Sequence, residues 1–221
     1  MVNKVRVWDL PTRVFHWSLV VCFVGLVITG QIGGAAMDWH FRFGYTVLSL
    51  LMFRAVWGVF GGRWSRFSAF VVGPVTILRY LQGRGTPLQT VGHNPLGSLS
   101  VLALLAFALL QVATGLISDD EIATTGPLAK MVAGSWVSFA TYYHAKVGQY
   151  ILITLVLLHI AAVVFYQTVR KERLIQSMLT GDKEVAEPFD NARDDVRSRA
   201  LAAVVLLACI TLVTGLVQWA S

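Results

Sequence analysis

Four stretches of this chain contain no Asp, Glu, Lys or Arg over a length that can cross a lipid bilayer: Val14 to Met37, Asn94 to Ser118, Val147 to Val169 and Ala200 to Ser221. A fifth, Phe43 to Gly62, is interrupted only by Arg54. About 20 apolar residues in a helix cover the roughly 30 Å hydrocarbon core. A helix also pairs its own backbone groups where no water can. The chain therefore reads as an all-α integral membrane protein, with transmembrane helices at residues 12–31, 41–61, 97–117, 143–167 and 199–219. The segment Phe67 to Leu78 is too short to span and holds Gly73 and Pro74, so it reads as a helix lying in the interface. The apolar run of the first helix exceeds a signal-peptide core of about 7–15 residues, so that helix is expected to be retained.

Composition agrees. The chain is 56% apolar and 14% charged, against about 25% charged in a soluble domain. Two cysteines in 221 residues exclude a disulfide scaffold, and the apolar content excludes a disordered chain. The net charge of +6 does not signal nucleic acid, because the basic residues mark one side of a membrane. With the N-terminus inside, fourteen Lys and Arg fall in inner segments and three (Arg42, Lys130, Lys146) in outer ones. This predicts a cytoplasmic N-terminus and, after five crossings, a C-terminus outside. The outer loop adds Asp119, Asp120 and Glu121, a solvated loop or a docking site for a basic partner. Residues 184–199 read as a charged cytoplasmic linker, and Asp9 or Leu10 before Pro11 as a helix start.

The chemistry lies in the histidines. His16, His40, His144 and His159 fall on expected transmembrane helices, where polar groups are costly and a functional role is the default. The bland alternative for any one of them is an interhelical hydrogen bond. Helix rise places His16 about 7–8 Å in from the cytoplasmic end of the first helix. His40 and His144 start their helices on the outer side. His159 lies 15 residues after His144, about 22 Å further inward and within about 60° of the same face. His40 can thus meet His144 at the outer level, and His16 can meet His159 at the inner level. Each pair is a plausible bis-imidazole clamp for one haem iron, giving an antiparallel four-helix haem-binding bundle with a fifth C-terminal helix. Zinc or copper could use the same imidazoles.

Gly44 follows His40 by four residues and Gly148 follows His144 by four, which offers clearance for a flat macrocycle or ordinary small-residue packing. Arg54 lies about 21 Å deeper than His40 and within about 40° of its face, where it can pair a haem propionate or snorkel to the headgroups. His93, in GHNPLG, reads as structural or solvated. No Cys-x-x-Cys-His attachment motif is present, so any haem is held non-covalently, as b-type haem.

VWDLPTRVFHW (7–17), HFRFGY (40–45), FRAVWGVFGGRWSRFS (53–68), GHNPLGSLSVLALL (92–105), LIQSMLTG (174–181) and the pair His144 and His159 resemble the bacterial cytochrome b561 / Ni-Fe-hydrogenase b-type cytochrome family. The resemblance covers residues 5–181. It implies a four-helix core with two b-type haems, His16 and His159 holding the inner one and His40 and His144 the outer one. This matches the pairing reached from depth. The expected domains are a haem-binding core, 1–181, and a linker with an additional helix, 182–221, for which the resemblance implies no task. It further implies a bacterial inner-membrane protein passing electrons between membrane quinone and a periplasmic partner such as a c-type cytochrome or hydrogenase. One branch of the family oxidises superoxide and reduces quinone, and this is the alternative function. A metal transporter is disfavoured, because none of the five spans contains an Asp or Glu in its interior.

Overall fold

Burying backbone amides in hydrocarbon forces these apolar stretches into helices. The computed structural model, which describes residues 3–122 and 124–220, has five helical runs long and apolar enough to cross a membrane. The α-helices are α1 (Leu10–Ile32), α2 (Met37–Phe60), a short pair α3 (Phe67–Phe70) and α4 (Pro74–Leu81), α5 (Pro95–Leu116), α6 (Gly134–Tyr142), α7 (Gln149–Thr168), α8 (Leu174–Thr180) and α9 (Val196–Ala220), of which α3, α4 and α8 lie outside the five runs. The two short helices occupy the segment expected at the interface. They are separate because Pro74 cannot continue a helix and disfavours helical geometry in Gly73, which is extended. The fourth span starts earlier than expected. It runs from Gly134 to Thr168, α6 joining α7 through a π-helical turn at Tyr143–Gly148. No side chain caps its start at Ala133, so nothing in the local sequence announces it.

The chain divides into two units. The first comprises Met1–His16, Arg54–Ala103 and Leu157–Val205; the second Trp17–Phe53, Leu104–Val156 and Leu206–Ser221.

In the first unit, Asp9 caps α1. One of its oxygens accepts the Thr12 amide at 2.8 Å. The other accepts the Trp57 indole N–H at 3.2 Å and the Gly62 amide at 2.9 Å. This fully buried carboxylate thereby ties α1 to the end of α2. A two-stranded antiparallel sheet, unanticipated from the sequence, pairs β1 (Asn3–Arg6) with β2 (Asp182–Val185), Asn3 opposite Val185 and Arg6 opposite Asp182. Val5, Val7, Trp8, Trp64, Val91 and Ala192 form a small apolar core beside it. The expected linker is docked here. Asn191 accepts the Arg6 amide, the Ala192 amide donates to the Arg6 carbonyl, and the Asp190 carbonyl accepts the Trp64 indole. Asp194 accepts the Leu10 amide and pairs with Arg6 and Arg199. Burial raises the pKa of Asp194, but the hydrogen bonds from Arg199 and Leu10 and the charges of Arg199 and Arg6 outweigh it and hold it below the usual carboxylate range.

In the second unit, a short 3-10 turn, Gly34–Ala36, joins α1 to α2. The acidic loop is self-satisfied: Asp120 accepts the amides of Ile122 and Thr124 and the Thr124 hydroxyl. The helix α9 packs beside α2 and leaves a groove of about 250 Å³ between Tyr45, Thr46 and Ser49 and its own Val213, Thr214 and Gln218.

Candidate functional site: paired histidines in each unit

The second unit brings His40 and His144 together. Their ring centroids lie 6.1 Å apart, with the planes nearly perpendicular at 81°. Each ring is held from behind by a different helix. His40 Nδ1 lies 3.2 Å from the hydroxyl of Thr29 on α1. That hydroxyl lies 2.7 Å from the Gly25 carbonyl, to which it donates, so the tautomer that satisfies both contacts has the proton on His40 Nδ1. His144 Nδ1 lies 2.8 Å from the Gln111 carbonyl on α5, and a carbonyl also only accepts. In the tautomers with the proton on Nδ1, both rings present the Nε2 lone pair as the metal-binding atom. That is the state in which imidazole binds a metal, its other N–H anchored by an acceptor.

The π turn contributes to this arrangement. Such a turn shifts the helical hydrogen-bond ladder by one residue. His144 lies within it, and its carbonyl accepts the Gln111 side-chain N–H at 2.9 Å. Gln111 and His144 are thus bonded reciprocally, main chain to side chain in both directions.

The glycines that matter to the rings are not those singled out from the sequence. A Cβ on Gly30 would sit 3.2 Å from His40 Cε1, and one on Gly115 would sit 2.7 Å from His144 Cε1. Each imidazole approaches a glycine of the helix behind it through its Cε1 and Nδ1 atoms. Gly44 faces open space, with nothing within 4 Å of a Cβ built there. Gly148 is buried and packed: a Cβ there would overlap the Gln111 side chain and approach Tyr143 Cε1 at 2.6 Å. Its lack of a side chain makes room for Gln111. Sequence reasoning missed Thr29, Gly30, Gln111 and Gly115. A signal existed in the Thr-Gly dipeptide that recurs near the ends of α1 and α5, and in Gln111, a polar residue inside an apolar span.

The first unit holds His16, His159, Arg54 and His93. His16 and His159 are half-buried and within electrostatic reach of each other. Arg54 does not snorkel: it is 3% exposed, its guanidinium stacked 4.8 Å from the Phe67 ring centroid and 5.9 Å from that of Phe70. Among the described residues no carboxylate lies within ion-pair distance of it, and its buried Nη1 has no hydrogen-bond partner. His93 is sandwiched between Trp8 and Phe70, both centroids at 4.7 Å, and its buried Nδ1 also lacks a partner. Desolvation lowers its pKa most, followed by the charges of Arg54, His159, His16 and Lys183, to about 3, so the ring is neutral. Among the described residues no group of three or more His, Cys, Asp or Glu is placed so that it could hold a metal ion. That argues against a four-ligand zinc site, whereas a macrocycle that brings its own equatorial nitrogens needs only two protein ligands.

The profile of prokaryotic cytochrome b561 matches residues 7–181. The chain is 27% identical over 216 residues to the probable Ni/Fe-hydrogenase B-type cytochrome subunit of Azotobacter vinelandii, covering 81% of this chain and 88% of that one. It is 23% identical over 219 residues to the corresponding protein of Rhodobacter capsulatus, covering 82% of each. It is 24% identical over 143 residues to the probable Ni/Fe-hydrogenase 1 B-type cytochrome subunit of Escherichia coli strain K12, covering 52% of this chain and 60% of that one.

Proposed function

The chain belongs to the prokaryotic cytochrome b561 family of multi-pass membrane electron-transfer proteins that carry b-type haem, and from that premise we propose a dihaem cytochrome b that moves electrons across a bacterial inner membrane. Residues 1–181 form the haem-binding part, and 182–221 add the docked linker and α9. The N-terminus is cytoplasmic and the C-terminus periplasmic. Electrons pass between membrane quinone and a periplasmic redox partner. The names of its relatives make a Ni/Fe hydrogenase the first candidate, and a c-type cytochrome is the alternative.

Bound haem supplies reversible one-electron chemistry on iron. The observation that carries the proposal is the His40–His144 pair. Two imidazoles on opposite sides of one metal, with metal–nitrogen bonds of about 2 Å, have centroids about 6 Å apart, and these rings lie 6.1 Å apart. Both Nδ1 atoms are engaged by acceptors, which leaves both Nε2 atoms for iron. Open space at Gly44 suits a porphyrin edge, while Gly148 serves indirectly by admitting Gln111. His16 and His159 hold the second haem, and the guanidinium of Arg54, whose Nη1 has no partner, donates to one of its propionates. The chain itself fixes the tautomer and orientation of each ligand, supplies cationic partners for propionates and keeps water out.

The test is a haem count with a redox titration of the purified protein. The wild type should hold two b-type haems per chain. His40→Ala and His144→Ala should each lose the same haem, and His16→Ala and His159→Ala the other. All four should abolish electron transfer across a sealed liposome. A His159→Ala protein that retained two haems per chain would refute the pairing.

A further inference from the structure

Two buried polar atoms in the first unit have no partner and border one aromatic ring: Arg54 Nη1 and His93 Nδ1. The guanidinium lies 5.9 Å and the imidazole centroid 4.7 Å from the centre of Phe70. They come from separate parts of the chain, Arg54 from α2 and His93 from the loop before α5. An isolated buried guanidinium is costly, and an unmade buried hydrogen bond costs roughly 1–3 kcal/mol. Phe67 and Phe70 on one side, and Trp8 on the other, hold both groups in place without offering either an oxygen. The local carboxylate, Asp9, already accepts from Thr12, Trp57 and Gly62. A cation and an open imidazole nitrogen, which donates in the tautomer with its proton on Nδ1, together form a receptor for a carboxylate.

We infer that His93 is a positioning residue for the haem bound by His16 and His159, its Nδ1–H and the Arg54 guanidinium together holding a propionate of that haem. The inference rests on the dihaem reading and extends it to a residue that is neither a ligand nor charged. The charges felt at His93 are, largest first, those of Arg54, His159, His16 and Lys183, all in the same unit. Donors on a propionate offset its negative charge at the iron and so favour the reduced state. Taking one away lowers the midpoint potential of that haem and leaves the other untouched.

The experiment compares His93→Phe, which removes the donor, with His93→Asn, whose side-chain N–H falls where Nδ1 was. Each purified holoprotein is titrated redox-optically and its haem counted. His93→Phe should shift the reduced-to-oxidised ratio of the His16–His159 haem toward oxidised by about tenfold, equal to about 59 mV for one electron. His93→Asn should recover most of this, and the His40–His144 haem should not move. The same comparison is repeated on protein reconstituted with haem dimethyl ester, whose propionates are esterified. There the wild type and His93→Phe should titrate alike, because the contacted charge is gone. The inference is overturned if His93→Phe titrates as wild type, if both haems shift equally, if His93→Asn does not rescue, or if the difference persists with the ester. If His93→Phe loses its haem, a His93→Asn protein with both haems at wild-type potential supports the inference, and one that also loses haem overturns it. A wild type with fewer than two haems would instead contradict the dihaem reading itself, and that result is read before any variant is made.

Discussion

Substituting Gly115 by alanine tests whether the His144 ring is held where a haem needs it. The added Cβ would stand 2.7 Å from His144 Cε1 and 3.1 Å from Nδ1. Carbon atoms in contact sit about 3.5–4.0 Å apart, so the ring must retreat by about 1 Å. Retreat stretches the 2.8 Å bond from His144 Nδ1 to the Gln111 carbonyl beyond hydrogen-bonding range. The alternative is for α5 to move, and overpacking of that kind costs about 1–3 kcal/mol. Either way the imidazole loses the acceptor that fixes its tautomer, a change that weakens metal sites by about 10–100-fold. Gly115→Ala should therefore release the haem of the His40–His144 site at concentrations where wild type keeps it. The haem of the other site should stay. Dilution of the purified protein into an apo-haem acceptor, followed by haem count and redox titration, measures both at once. If Gly115→Ala held two haems at unchanged affinity and potential, the bracing of His144 by α5 would be irrelevant and the proposed clamp geometry wrong.

Other outcomes follow from the same coordinates. Gly44→Ala meets no protein atom within 4 Å, so it should fold normally and yet weaken the His40–His144 haem, if a porphyrin edge occupies that space; unaltered binding removes Gly44 from the site. Thr29→Val removes the hydroxyl beside His40 Nδ1 and leaves the Leu26 backbone contact, making the ligand less basic, and should raise that haem's potential by at most about 40 mV, the one-electron equivalent of about 1 kcal/mol; a fall would reverse the assigned tautomer. Asp9→Ala removes a helix cap and leaves two buried N–H groups unpaired, a loss of about 4 kcal/mol seen as earlier unfolding in detergent, and wild-type melting would show these bonds to be idle. Asp194 has a depressed pKa, so its stabilising effect is present above the unfolded value of about 3.9 and disappears as pH falls through the folded one. Limited proteolysis across residues 186–195 should thus accelerate only below about pH 4, and Asp194→Asn should make cleavage rapid at every pH.

How much of this was readable beforehand differs by element. The spans were legible because charge is scarce and hydrocarbon tolerates few alternatives to a helix. Four histidines and Arg54 stood out because polar groups are rare in such stretches. The sheet of Asn3–Arg6 with Asp182–Val185 was not legible, since each strand is four residues long and its partner lies at the other end of the chain. The same distance hid the docking of residues 190–194, whose charges read as a solvated linker until Arg6 and the Leu10 amide were seen to engage them. The start of the fourth span at Gly134 had no capping residue to reveal it.

Local chemistry along the chain decided that this protein lives in a membrane, how many times it crosses and which side chains are worth suspecting, because hydrophobic transfer and backbone pairing act segment by segment. Only the packed molecule decided what those side chains rest on. Gly30 and Gly115 lie behind the rings because Thr29 and Gln111, on other helices, orient them. His93 joins Arg54 because two aromatic rings enclose it. Proximity between residues remote in sequence is a property of tertiary packing, and no periodicity along the chain encodes it.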